Sequence, residues 1–156
     1  MTIKKKLTLL LILFTFCSTS CGYKKLNNEQ NNYYLSNITI TGEKKIGQII
    51  KQSLKTYSFE ESPTRINLSL SVAKNKIIKN KDAAGVINNY LITIVVEASI
   101  ENEKTGNILN KNFSKSLDFK AKSNHSETLI TENKTTSIIS NSLAEQITDY
   151  LLDYSN

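Results

Sequence analysis

Residues 36–41 alternate apolar and polar, with Ile38 and Ile40 on one face. That two-residue period predicts a short strand, which Gly42 ends. The period then changes. Across residues 43–57, Ile46, Ile49, Ile50, Leu54 and Tyr57 recur at three- and four-residue steps. This is the stripe of an amphipathic helix, and Ser62-Pro63 turns the chain after it. Alternation resumes over residues 65–79, with Ile66, Leu68, Leu70 and Val72 on one face and Asn67, Ser69 and Ser71 on the other. After a turn at 80–85, residues 86–101 predict a second long strand, with Val86, Tyr90, Ile92, Ile94, Val96, Ala98 and Ile100 inward. A tight turn at 102–107, with Gly106 expected at positive φ, leads to a third long strand over 108–121. There Leu109, Phe113, Leu117 and Phe119 share a face.

Residues 124–154 predict the second helix, striped by Ile139, Leu143, Ile147, Tyr150, Leu151 and Tyr154. Asn124 with Glu127 resembles a capping box, and Ser123 or Ser126 are alternative caps. The first half of this helix carries Thr131, Thr135, Thr136 and Ser137. Polar and β-branched side chains lower helix propensity, so fraying or a kink is expected there. The predicted order is β-α-β-β-β-α. Alternation on the long strands implies a sheet covered on one side only. The expected fold is α+β: a two-layer sandwich whose four-stranded, mostly antiparallel sheet is covered by two helices. Its other face, with Asn67, Ser69, Ser71, Thr93, Glu97 and Ser99, is expected to be polar.

The N-terminus has a different pattern. Lys4, Lys5 and Lys6 precede an apolar run over residues 7–16, then small or polar residues, then Cys21. That is the layout of an export signal over residues 1–20. The apolar run is shorter than the about 20 residues a membrane-spanning helix needs. Ser18-Thr19-Ser20-Cys21 resembles the lipobox of bacterial lipoproteins, departing at Ser18 where Leu is usual. The resemblance implies cleavage before Cys21 and acylation of its thiol and new amine. Cys17 is the competing cysteine, but Leu13, Phe14 and Phe16 before it are bulky for a cleavage zone. Gly22 follows Cys21; in such lipoproteins, lack of Asp there permits sorting to the outer membrane. Durable anchoring takes two or more lipid signals. Residues 21–35, rich in Asn and Lys with little to bury, read as a flexible lipidated tether. Its fourteen residues after Cys21 extend at most about 46 Å. Residues 36–156 then form one domain.

Composition narrows the function. Removing Lys4, Lys5 and Lys6 from 20 basic residues leaves 17 against 14 acidic, a net +3, with the lysines dispersed among acids. An exported chain of that charge does not read as a nucleic-acid binder. Beyond Cys21 there is no cysteine, and His125 is the only histidine. Neither a zinc site nor a nucleophile–histidine pair can be assembled from these, and a surface histidine in a cap region is the plain reading. Glu60-Glu61 reads as a solvated loop. Gly42 and Gly47 have the spacing of a phosphate loop, but Gln48-Ile49 follows where Lys and Ser or Thr are required. The chain is expected not to be an enzyme, and no cofactor or metal is implied.

The remaining candidate is basic. Lys74 and Lys76 continue the inward face beyond Val72, while Lys79 and Lys81 flank the hairpin turn near Asp82. They offer charge to phosphates or anionic sugars; the plain alternative is a solvated hairpin whose lysines prevent aggregation.

Taken together, the chain resembles the LptE family, the lipopolysaccharide-assembly lipoproteins of Gram-negative outer membranes. The likeness lies in Cys21-Gly22-Tyr23, in Ile38-Thr39-Ile40-Thr41-Gly42 before the first helix, and in the turn Glu103-Lys104-Thr105-Gly106. It continues through residues 113–119 and a final helix containing Ser142-Leu143-Ala144-Glu145-Gln146-Ile147-Thr148-Asp149-Tyr150-Leu151. Order and element lengths carry more of it than any single motif. The family often has Ala and Tyr where this chain has Asn124, His125, Thr135 and Thr136. The resemblance implies a two-helix, four-stranded fold and assistance rather than catalysis. Such a protein sits on the periplasmic side of the outer membrane inside a large β-barrel of the LptD type, helps it assemble, plugs it, and interacts with lipopolysaccharide. Lys74, Lys76, Lys79 and Lys81 are then candidate lipopolysaccharide or barrel contacts. The alternative is another lipid-anchored periplasmic binding module, such as a cell-wall enzyme activator or a lipid-transport accessory.

Overall fold

The computed structural model describes residues 33–155. The export signal, Cys17, Cys21 and the tether up to residue 32 lie outside the described residues. The elements are β1 (Tyr33–Gly42), α1 (Lys44–Lys55), β2 (Thr64–Lys81), β3 (Ile87–Asn102), β4 (Ile108–Lys120) and α2 (His125–Ser155). They form one sheet in the order β1-β2-β3-β4. β1 and β2 run parallel, joined across α1, and the other pairs are antiparallel hairpins. This is the α+β architecture expected from the hydrophobic pattern.

One face of the sheet meets both helices. α1 lies over β1 and β2, α2 lies over β4 and β3, and the helices pack on each other. The alternating residues make the core: Ile66, Leu68, Leu70 and Val72 from β2, and Ile92, Ile94, Val96, Ala98 and Ile100 from β3. Against them pack Ile46, Ile50 and Leu54 of α1, and Ile139, Leu143, Ala144, Ile147 and Leu151 of α2. At the ends of the sheet the inward pattern outlasts its cover. Val86, expected inward, is exposed in the turn before β3, and Leu109, expected inward, is exposed near the start of the edge strand β4.

β1 begins at Tyr33 rather than Ser36. Tyr33 and Leu35 are buried, so the last three residues assigned to the tether belong to the domain. A polar run upstream concealed this, because the apolar pattern is broken by a bulge. Leu35 pairs with Ile66 and Asn37 with Asn67, leaving Ser36 as the extra residue.

The two glycines with phosphate-loop spacing serve packing. Gly42 has φ 79°, and a Cβ there would collide with the Val72 carbonyl oxygen. That same oxygen accepts the Glu43 N–H at 2.9 Å. A Cβ on Gly47 would collide with Ile40 Cγ2, so its absence lets α1 lie close on β1. Gly106 has the expected positive φ, 68°.

α2 runs without a break from His125 to Ser155, through its threonines. Asn124 caps it: its Oδ1 accepts the Glu127 N–H at 2.7 Å and its Nδ2 donates to Glu127 Oε1 at 2.8 Å. Thr135 and Thr136 are buried against the sheet, so tertiary packing overrides their low propensity. The hydroxyls of Thr128, Thr131 and Ser140 donate to carbonyls one turn back, at 3.0, 2.8 and 2.8 Å.

Candidate functional site

The β2–β3 hairpin runs past the helices, and its lysines divide by strand parity. Even positions of β2 face the helices, so Lys74 and Lys76 follow Val72 on the inward side. Both meet one carboxylate on α2. Lys74 Nζ lies 2.6 Å from Glu132 Oε1, and Lys76 Nζ lies 2.6 Å from Glu132 Oε2. Lys76 also sits 4.3 Å from the centre of the Tyr90 ring and 5.7 Å from that of Phe119. Those two rings stack at 5.4 Å. The result is a polar clip closing the core where apolar residues stop. Partial burial opposes ionisation of Glu132, but hydrogen bonds from Lys74 and Lys76 outweigh it and hold the carboxyl below the usual range.

Lys79 points to the opposite face, where its Nζ lies 2.7 Å from Asp118 Oδ2. That hydrogen bond lowers the Asp118 carboxyl as well. Lys81 makes no ion pair with another described residue. Asp82, the acid of the tip, shapes the turn: its Oδ1 accepts the N–H groups of Ala84 at 2.9 Å and Val86 at 2.8 Å. The four lysines therefore do not form one cluster. Two are held under α2, one is paired on the open face, and one is free at the tip. Ile77, Ile78 and Val86 are exposed around them.

The sequence reading did not identify Glu132. The signal was present. Stepping back from Ile139 along the stripe of α2 by threes and fours reaches Thr136 or Thr135, then Glu132, then Thr128. An acid on the inward stripe of the helix facing inward lysines on a strand is a pairing that periodicity can reveal. His125 is the first residue of α2 and is exposed, and Glu60 and Glu61 are exposed in the loop before β2. Among the described residues no cluster of His, Cys, Asp and Glu is arranged to hold a metal ion.

Neither helix covers the second face of the sheet. Strand register sets its side chains in rows: Thr39, Ser69, Ser99 and Asn110 across all four strands, then Thr41, Ser71, Glu97 and Asn112. Further along, Asn75, Thr93 and Ser116 form another row, in which Thr93 and Ser116 hydroxyls share a 2.7 Å hydrogen bond. Asn67 donates to Glu101 at 3.4 Å at one end. The face is thus rich in hydroxyl and amide groups, with Arg65, Lys79, Glu97, Glu101 and Asp118 among them, and is interrupted toward the hairpin by Ile77, Leu91 and Val95.

No protein-family model and no curated protein sequence matches the chain. Solved structures do match. A candidate lipoprotein from Caulobacter crescentus superposes with a TM-score of 0.56 at 11% identity, covering 81% of this chain and 92% of that one. The minor lipoprotein of Acinetobacter baumannii gives 0.55 at 14% identity, with 80% and 94% covered. The uncharacterized lipoprotein B of Nitrosomonas europaea gives 0.53 at 14% identity, with 81% and 88% covered. What this chain shares with them is the fold. At such identity, side-chain chemistry does not carry over, and function is argued from this chain's own surface.

Proposed function

We propose that this protein is a lipid-anchored component of the outer membrane, acylated at Cys21, that assists assembly and plugging of the β-barrel delivering lipopolysaccharide to the cell surface. The observation that carries the reading is the open sheet face. Four strands present rows of Thr, Ser and Asn, a polar surface that keeps its hydrogen bonds in water without needing a dry partner. Such a face suits the wet, polar interior of a large barrel. Three further points support it: the lipobox-like Ser18-Thr19-Ser20-Cys21, the resemblance to the LptE family, and a fold shared with proteins described as lipoproteins. The role is binding and scaffolding, without catalysis.

Within this reading the lysines have unequal parts. Lys74 and Lys76 are engaged by Glu132 and Lys79 is paired with Asp118, whereas Lys81, exposed at the tip and in no ion pair with another described residue, is the one free to meet lipopolysaccharide phosphates. The test is affinity purification of the full-length protein from detergent-solubilised membranes. A stoichiometric large β-barrel is expected, and Ser69→Arg with Ser71→Arg on the open face should remove it while melting behaviour is kept. Recovery without any barrel refutes the role. Separately, Lys79→Glu with Lys81→Glu is expected to weaken lipopolysaccharide capture, and unchanged capture removes the tip as a contact.

A further inference from the structure

β1 and β4 are the two edges of the sheet, and β1 is closed by its own chain. The Leu35 N–H donates to Ser58 Oγ at 2.8 Å, the Phe59 N–H donates to the Tyr33 carbonyl at 3.2 Å, and Lys51 Nζ donates to the Ile38 carbonyl at 2.9 Å. Between this edge and the second half of α1 lies a concavity of about 310 Å³, at the small end of ligand-site volumes. The bulge at Ser36 forms one wall, and Lys51, Lys55 and Ser58 form the other.

The polar part of the lining, beside Leu35 and Ile38, is rich in donors. Lys51 and Lys55 stand one helical turn apart, and neither is in an ion pair with another described residue. Lys51 uses one of its three protons on Ile38 and keeps two. Ser58 Oγ accepts from Leu35, which leaves its own O–H to donate. Ser36 Oγ is shielded from water and has no hydrogen-bond partner. No acidic side chain lines the space. A lysine in the last turn of α1 is favourable to the helix dipole, which accounts for Lys55 alone. It does not account for two ammonium groups without an acidic partner lining the same hollow as two hydroxyls with unused hydrogen-bonding capacity, one of them on the bulge. Bulges recur beside binding sites because they re-aim side chains.

We propose that this concavity is a binding site for a tetrahedral oxyanion, a phosphate group held by Lys51, Lys55, Ser36 and Ser58. The phosphate can come from a small soluble molecule or from a phospholipid headgroup. The second source rests on the anchoring proposed above: Tyr33 is twelve residues beyond Cys21, so the start of β1 lies within about 40 Å of the membrane attachment point. The first does not depend on it.

The experiment uses the full-length chain in a neutral detergent, titrated with inorganic phosphate at constant ionic strength while backbone amide shifts are followed by NMR. Saturable shifts are expected at Ser36, Asn37 and Ser58. Lys55→Gln should weaken the apparent affinity about tenfold, the scale of one lost hydrogen bond to a charged group, and Ser36→Ala should weaken it less. Lys104→Gln with Lys134→Gln, two exposed lysines away from the hollow, serves as the control for general charge and should leave it unchanged. Melting temperatures check that the variants fold. Nanodiscs with and without phosphatidylglycerol form the second arm. If phosphatidylglycerol shifts the same amides and free phosphate competes, the headgroup is the ligand. If only inorganic phosphate acts, the ligand is soluble, whatever the fate of the anchor. Absence of saturable shifts with both probes, or equal loss in the Lys104→Gln, Lys134→Gln control, overturns the site.

Discussion

Replacing Glu132 with Ala leaves the Lys74 and Lys76 ammonium groups facing the end of the core with no counter-charge. The Glu132 side chain is only 14% exposed, and the lysines are 20% and 31% exposed. Two charge-assisted hydrogen bonds of 2.6 Å are lost. Each is worth roughly 1.5–3 kcal/mol when water is excluded, and partial exposure of the lysines screens them toward the surface value of about 1 kcal/mol or less. A total near 2 kcal/mol follows, or about 6–10 °C in Tm for a domain of this size. The pH dependence has a definite sign. Glu132 is held below its ordinary value, so the folded state binds fewer protons than the unfolded state through the acid range. The stabilisation is complete above about pH 5 and disappears as pH falls through the depressed value. Thermal melts at pH 7 and pH 3 should therefore show a gap between wild type and Glu132→Ala that closes in acid. The combined variant Lys74→Met, Lys76→Met, Glu132→Leu should regain most of the loss, since apolar replacement of a shielded ion cluster is often neutral or better. A Glu132→Ala melt within about 1 °C of wild type at pH 7, or a gap of the same size at pH 3, would refute the reasoning.

Two further perturbations probe the frame. Gly47→Ala should cost about 1–3 kcal/mol in urea unfolding, despite the better helix propensity of Ala, because the added Cβ meets Ile40. Gly106→Ala, where space is open and only the positive φ opposes, should cost nearer 1 kcal/mol. Tyr33 tests the start of β1. Its buried hydroxyl lies near the Thr148 hydroxyl without a hydrogen bond of full geometry, so Tyr33→Phe should change stability by no more than about 1 kcal/mol, whereas Tyr33→Ala should cost about 3–5 kcal/mol. Burial also pushes the Tyr33 phenol up to about 12. The folded state keeps that proton longer than the unfolded state, so stability should fall between about pH 10 and 12 in wild type, and the fall should be absent in Tyr33→Phe.

Strand and helix order, the turn glycine at 106, the Asn124–Glu127 cap and the inward faces of β2 and β3 are all legible in the sequence. Each depends on residues a few positions apart, whose period or hydrogen bonding the chain itself dictates. The candidate site was legible by halves. That Lys74 and Lys76 outrun the core follows from alternation; that they close on one carboxylate of α2 does not, because the pair spans 58 and 56 residues. The same holds for Gly42 and Gly47, whose spacing mimics a phosphate loop until Val72 and Ile40 are seen against them.

The sequence by itself thus determined which residues turn inward, in what order the elements come, and that a polar face remains. It also carried the lipobox-like signal, since a cleavage zone is a local chemical pattern. Only the tertiary structure decided where the domain begins, which lysines are free, and that the β1 edge is closed around a donor-lined hollow. Those properties arise where parts distant in the chain meet. The bulge at Ser36 breaks the local period, and the partner of each charge is chosen by the packing of α1 and α2 across the sheet.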